Sequence, residues 1–490
     1  MPDLRQQPLR FRGLSGVRGF LTIGVLAGLG LVFVVPVFAG IDEPYHYLRA
    51  WSITSGTLMP SVGDLPGDVR GGGLCLPTAL TNELFEAREP YLDRQSWFEG
   101  DDPLKTTVCP GRQSTDRDTF VDMATFAWYS PVGYAPQAAA VGLGRLAGMG
   151  PAGQSLLARL ASLAVYLALC GWAVAATPRA RWALAAVALL PVSLFQAATS
   201  LSPDGLAIAA AVAVVAAALR ARHAAALGLS RRRVVSEAIL TCGLLALSKP
   251  TYAVIALVYV VVLLPHPSRR RDAEDAEDTE VIQPASVWAS AGAPLAAAAG
   301  SIALSAGWSA AFRRRFVCDV RYFGVATDPD GSLSALLHRP WEALLATLDA
   351  TLHRGWEWVS DLVAIGPGRI VSWPTVVCAL VLVAGAAWAS IGSRRESTAT
   401  TWERVVLVAI GGLAVVAVVA GWLVSCSPSG LRVVNHLHGR LLVPALAPLA
   451  AGLGGWWRPR QDGLATVTVA GIAGAVWVAW LVSAAVTMLG

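Results

Sequence analysis

Four short polar segments interrupt an apolar chain, and their residue types could together manage a phosphate and a hydroxyl. The first is Asp42-Glu43-Pro44-Tyr45-His46-Tyr47, directly after an apolar run. Two adjacent carboxylates at a membrane boundary can supply a general base, because a low dielectric nearby moves a carboxyl group toward its working range. Equally, Asp42 could cap the helix that follows. The second is Ser202-Pro203-Asp204, where Asp204 interrupts apolar sequence and could serve a site or cap a helix. The third is Leu247-Ser248-Lys249-Pro250-Thr251-Tyr252. Lys105 and Lys249 are the only two lysines in the chain, and an ionisable residue amid apolar sequence points to function and to a partner. A compact ammonium suits a lipid phosphate; the alternative is snorkelling to anionic headgroups. The fourth is Asn435-His436-Leu437-His438-Gly439-Arg440. Arg440 could clamp a phosphate bidentately, while two histidines two residues apart diverge on a helix and make a poor metal pair. Asp42, Glu43 and Asp204 are therefore the candidate catalytic residues. Lys249, Arg440, His46, Tyr252 and His438 are the candidate substrate-binding residues.

The elements that must position them are membrane helices. Of 490 residues, 55% are hydrophobic and 14% charged, about half the charged share of an ordinary soluble domain. Repeated apolar runs fit helices crossing a hydrocarbon layer about 30 Å thick. A water-soluble globule is excluded. So is a nucleic-acid binder, because the net charge of +5 comes from scattered arginines with no basic stripe. The expected fold is all-α, a polytopic transmembrane bundle. The positive-inside rule places residues 1–19 in the cytoplasm and predicts eleven spans: 20–39, 156–177, 183–200, 205–221, 234–248, 251–265, 287–310, 371–391, 404–424, 441–456 and 464–489. The basic clusters Arg179/Arg181, Arg220 to Arg233, Arg269 to Arg271, Arg394/Arg395/Arg404 and Arg458/Arg460 then face the cytoplasm, and the C-terminus lies outside. All four polar segments fall at the outer ends of spans.

Residues 40–155 form an extracytoplasmic loop with juxtamembrane helices, where fourteen acids stand against seven bases between Asp42 and Asp122. Within it, 129–149 is apolar enough to cross. A crossing would invert every later basic cluster, so this segment is expected along the outer surface. Spans 234–248 and 251–265, in the transmembrane core of 156–265, are short, and broken helices at membrane depth often mark a site. Residues 266–286, with DAEDAEDTE, read as a solvated cytoplasmic linker. After the span at 287–310, residues 311–370 should form a second outer segment or amphipathic layer, and 371–490 carry the C-terminal helices. Val37-Phe38-Ala39 also has the small residues of a signal-peptide cleavage site, an alternative to a retained first span. Cys170, Cys242 and Cys378 fall in spans; Cys75, Cys109, Cys318 and Cys426 fall outside. No CxxC occurs. Cys75 and Cys109 share the first outer loop, where an oxidising compartment allows a disulfide.

Beyond these readings, DEPYHYLRAWSITSG, YSPVGY, LLARLASLAVYLAL, LLPVSLFQAATSLSPDGLAIA, LSKPTYA and HGRLLVPALAPL resemble the bacterial membrane proteins grouped under domain of unknown function 2142, over most of the chain. The order of acidic pair, loop, second acid and lysine is similar to the GT-C superfamily of lipid-linked-sugar transferases, such as aminoarabinose transferase and protein O-mannosyltransferases. The chain departs from the large relatives in showing no obvious globular domain after its last span. The resemblance implies a glycosyltransferase in the bacterial plasma membrane, active on the extracytoplasmic face, with a polyprenyl-phosphate sugar as donor and an envelope glycan or other hydroxyl as acceptor. It implies Asp42 as base, Glu43 beside it, Lys249 near the donor phosphate and Asp204 as second acid, which could orient the acceptor or hold a divalent cation such as magnesium or manganese. Two other classes are a transporter or flippase of lipid-linked saccharides and a non-catalytic envelope-assembly partner. A transporter needs its charges near mid-membrane.

Overall fold

The structure, a computed structural model, describes residues 14–40, 42–65, 69–92, 106–109, 118–123, 126, 128–264, 284–312, 328–362, 400–426 and 437–454. Helix α1 runs over Leu14–Val34, earlier than the expected 20–39, because Pro36 cannot continue it. Helix α2 is Glu43–Thr54, α3 is Thr78–Leu92 and α4 is Ala135–Leu146, preceded by a 3₁₀ turn at Pro131–Tyr134. At 12 residues, α4 extends about 18 Å and is too short to cross. Helix α5 spans Pro151–Ala176. Next, Arg181–Ala188 (α6) and Pro191–Ala198 (α7) replace the single crossing expected at 183–200, bent by 57° where Pro191 lacks an amide hydrogen. Helices α8 (Asp204–Arg222) and α9 (Arg231–Ser248) follow, then a 3₁₀ helix at Pro250–Leu263. Helix α10 is Pro284–Phe312, α11 is Pro329–His338, α12 is Trp341–Asp361 and α13 is Thr401–Cys426; a 3₁₀ turn at Gly439–Leu442 leads into α14 (Val443–Leu453).

Among the described residues five helices are long and apolar enough to cross a membrane, or six if the bent pair counts as one span. They lie in α1, α5, α8, α10 and α13. Not all eleven expected spans can be compared with this count. Spans 371–391 and 464–489 lie outside the described residues, α9 opens on Arg231-Arg232-Arg233, and α14 has 11 residues. The segment at 251–265 is short for another reason. As a 3₁₀ helix of 14 residues it rises about 2 Å per residue and reaches roughly 28 Å. Its burial repeats every third residue: Thr251, Val254, Leu257 and Val260 are the more exposed column, and Tyr252, Ile255, Val258 and Val261 are buried.

The first loop corrects the all-helical expectation. Beside its helices it holds a four-stranded antiparallel sheet in the order β1-β2-β4-β3, made of β1 (Ser61–Leu65), β2 (Val69–Pro77), β3 (Thr106–Val108) and β4 (Asp118–Asp122). Ser61 pairs with Gly73, and Phe120 lies opposite both Cys75 and Thr107. β2 reads VRGGGLCLP, weak in β propensity, and is held from both sides and by a disulfide between Cys75 and Cys109. Phe38, Tyr47, Leu48, Leu74, Val121 and Trp128 form a core beneath the sheet, separate from the larger core between the spans. The sheet marks one end of the bundle, called below the sheet end.

Candidate functional site

Asp42, Asp204, Lys249 and Arg440 converge at the sheet end from four elements far apart in sequence. Asp42 precedes α2 in the N-cap position but is not a cap. It makes no side-chain cap hydrogen bond, and its backbone is left-handed at φ 55°, ψ 13°, a conformation that costs a residue with a side chain about 1–3 kcal/mol unless its surroundings over-determine it. Its Oδ2 instead accepts from Arg440 Nη2 at 3.3 Å. Asp204 likewise does not cap α8: its own backbone N–H donates to Ser202 Oγ at 3.1 Å, which leaves the carboxylate to form an ion pair with Lys249. Lys249 is buried, so it does not snorkel to headgroups, and its ammonium lies 5.0 Å from the centre of the Tyr129 ring.

What over-determines Asp42 is its neighbour. Glu43 is completely buried and takes Arg159 bidentately, from Nε and Nη2 at 2.6 Å each. It also accepts from Ser155 Oγ at 2.9 Å and from the Gly40 amide at 3.0 Å. Arg159 in turn donates to the carbonyls of Val32, Val35 and Pro36, which are the groups a helix end leaves open. This lock joins the end of α1, the start of α2 and the middle of α5. Glu43 has its oxygens committed, so within the acidic pair only Asp42 can accept a proton from a ligand.

His46, one turn into α2, is buried beside these charges and shares a hydrogen bond between Nδ1 and Tyr134 Oη at 2.8 Å. Burial, only partly offset by the carboxylates of Asp42 and Asp204, pushes its pKa down to about 4. It is neutral at pH 7. Tyr252 Oη donates to the Leu441 carbonyl at 2.9 Å and so ties the start of the 3₁₀ helix to the turn that carries Arg440. The loop at 130–134 closes the cluster through Gly133. A Cβ there would meet Pro203 Cβ at 2.9 Å and the Ser248 carbonyl at 3.2 Å, so only glycine lets Tyr129 and Tyr134 approach the Asp204–Lys249 pair.

The Arg440 turn is anchored by the last turn of α12. Asp361 Oδ2 accepts from the Gly439 amide at 2.7 Å and faces His438 Nδ1 at 3.7 Å, and Trp358 Nε1 donates to the Leu437 carbonyl at 3.1 Å. Burial alone would raise the Asp361 carboxyl, but the hydrogen bonds from His438 and Gly439 hold it below the usual carboxylate range. His438 is half exposed; His436 lies outside the described residues.

The residues present do not fit a divalent cation. Asp204 and Asp42 are each engaged by a cationic side chain, and no group of three metal-type ligands exists among the described residues. The arrangement fits an anion that competes for the two cations. Sequence reasoning singled out every member of the two ion pairs but missed Arg159, Tyr129, Tyr134 and Asp361. Arg159 carried a usable signal: it is the only charged residue in α5, and a lone charge in a span needs a partner.

Against this geometry, one protein-family model matches, described as "Predicted membrane protein (DUF2142)", over residues 25–449. No curated protein matches, and no solved structure does.

Proposed function

Since the chain belongs to the DUF2142 family of predicted membrane proteins, we propose that it transfers a sugar from a polyprenyl-phosphate donor to an acceptor hydroxyl on the outer face of the cell membrane. The observation that carries this reading is the pairing of Asp42 with Arg440 and of Asp204 with Lys249 around buried, neutral His46 at one end of the spans. The two carboxylates suit an acceptor, and the two cations suit a phosphate. The disulfide in the adjoining sheet agrees with that end facing an oxidising compartment.

The chemistry follows from the pairs. In the free site each cation holds a carboxylate, so the Asp42 carboxylate is occupied by Arg440. A donor phosphate draws Arg440 and Lys249 to its oxygens, and the Asp42 carboxylate is released. The acceptor oxygen then attacks the anomeric carbon as its proton passes to Asp42. The bond from that carbon to the phosphate oxygen breaks with its electron pair on the phosphate, whose charge Lys249 and Arg440 receive. Preorganised charge in a site shielded from water is where such stabilisation is largest. Asp204, relieved of Lys249, can orient the acceptor. The Glu43–Arg159 lock keeps the Asp42 backbone in its left-handed turn throughout.

The test is transfer of a labelled sugar from its polyprenyl phosphate by the purified chain in proteoliposomes. Transfer that is lost in Asp42→Asn is expected, and no transfer to any envelope-glycan acceptor overturns the reading. Movement of the intact lipid-linked sugar between leaflets without transfer would instead make the protein a flippase. The position of the charges at helix ends, and not at mid-membrane, weighs against that alternative.

A further inference from the structure

Helix α12 has three faces. Ala343, Ala346, Ala350 and Trp358 are buried against the protein. Trp341, Leu344, Leu345, Leu348, Leu352 and Trp356 form a second, exposed stripe covering about 120° of the circumference at 100° per residue. Leu352 is 82% exposed. Beside this stripe lies a polar one with Asp349 and His353, the latter 73% exposed and hydrogen-bonded back to the Asp349 carbonyl. A helix crossing the bilayer would concentrate its polar residues at its ends. Here the boundary between apolar and polar runs parallel to the axis, which is the geometry of a helix lying in the membrane surface.

We infer that α12 lies in the plane of the membrane at the sheet end, with the stripe from Trp341 to Trp356 sunk into the acyl chains and Asp349 and His353 in water. Tryptophan beside leucine on the apolar face is the composition such surface helices use. Helix α12 packs against α13, one of the helices long and apolar enough to cross the membrane, so its exposed stripe adjoins a lipid-facing span. The occupant is therefore the lipid that already surrounds the spans. One consequence concerns the site: Trp358 and Asp361 hold the turn of Arg440, so seating α12 in the surface sets Arg440 at the level of lipid phosphates. This inference stands apart from the proposed chemistry.

The test is nitroxide labelling of the full chain under non-reducing conditions, at Leu345→Cys and Leu352→Cys on one stripe and Asp349→Cys and His353→Cys on the other. Power saturation would be read in phosphatidylglycerol–phosphatidylethanolamine vesicles. Collision with oxygen relative to a water-soluble nickel chelate should be several-fold higher at the leucine positions than at the polar ones. Equal nickel access on both stripes would put the leucines in water and overturn the inference. Shielding of the leucines from both reagents would mean that protein covers them and would overturn it too. Leu348→Cys serves if either leucine variant fails to fold.

Discussion

Helix α8 carries a buried ionic cluster at each end, and the two are built differently. At the far end Arg222 donates to Glu403 Oε2 at 3.0 Å and to the carbonyls of Val261 and Leu264 at 2.7 and 2.8 Å. Arg220 takes Glu237 with Nε and Nη2 and the Ala176 carbonyl with Nη1, and Glu403 is shared with Arg179. Those carbonyls lie at or just beyond the ends of α5 and of the 3₁₀ helix, where open acceptors and the helix dipole favour a cation. At the sheet end, about 28 Å away along a 19-residue helix, Arg440 meets Asp42 at 3.3 Å, Asp42 is in a left-handed turn, and phenols and a neutral histidine surround the charges. The far cluster uses its charges to close helix ends; the sheet-end cluster pairs each carboxylate with one cation, and under the proposed function these are the charges a phosphate exchanges. The lesson is that burial and charge alone do not separate a staple from a site. Saturation of the donors and strain in the backbone do.

That contrast can be broken by substitution. The largest effect is expected from Asp42→Asn, which should lower sugar transfer about 10²- to 10⁴-fold with an unchanged unfolding midpoint; a variant with full transfer would end the distinction. Glu403→Ala should do the reverse. Leaving Arg222 and Arg179 buried without their carboxylate should remove about 3–5 kcal/mol of stability, while transfer per folded molecule stays at the native level. The third expectation concerns pH. His46 is protonated in the unfolded chain below about 6.5 but in the folded protein only below about 4, so its neutral burial supports the fold above that window. Stability should fall by roughly 3 kcal/mol as pH drops through the window, and His46→Gln should flatten this slope in unfolding scans. Lys249→Ala should raise KM for the lipid-linked donor about 10- to 100-fold, the loss of one charged hydrogen bond, with acceptor KM unchanged; equal effects on both would place Lys249 with the staples. Smallest is Gly133→Ala. Its new methyl group meets Pro203 and Ser248, and overpacking of about 1–3 kcal/mol should appear mainly as reduced turnover, because the loop it displaces carries Tyr129 and Tyr134.

Much of this was legible because both signals are local in sequence. Apolar runs bounded by proline locate α1, α5, α8 and α13, and Asp204 and Lys249 stand out because they interrupt such runs. The sheet was not legible: Gly71-Gly72-Gly73 lacks β propensity, and the second partner of its strand, β4, is separated from it by α3 and β3. Nor was the division of labour between Asp42 and Glu43, adjacent and chemically alike. It depends on Arg159, which lies on another helix and whose distance from Glu43 no sequence spacing encodes. The 3₁₀ helix escaped for a third reason, since an all-apolar run such as Ala253-Val254-Ile255-Ala256-Leu257-Val258 hides its period.

The pairing of Asp42 with Arg440 also has a meaning in time. The two residues are 398 apart in the chain, and at about 5–20 residues per second of synthesis Arg440 emerges roughly 20–80 s after Asp42. Asp42 therefore reaches the membrane long before its cation, whereas Asp204 and Lys249, 45 residues apart, emerge within seconds of each other. A nascent chain that stalls before the Arg440 turn has the Asp42 carboxylate without the arginine that pairs with it.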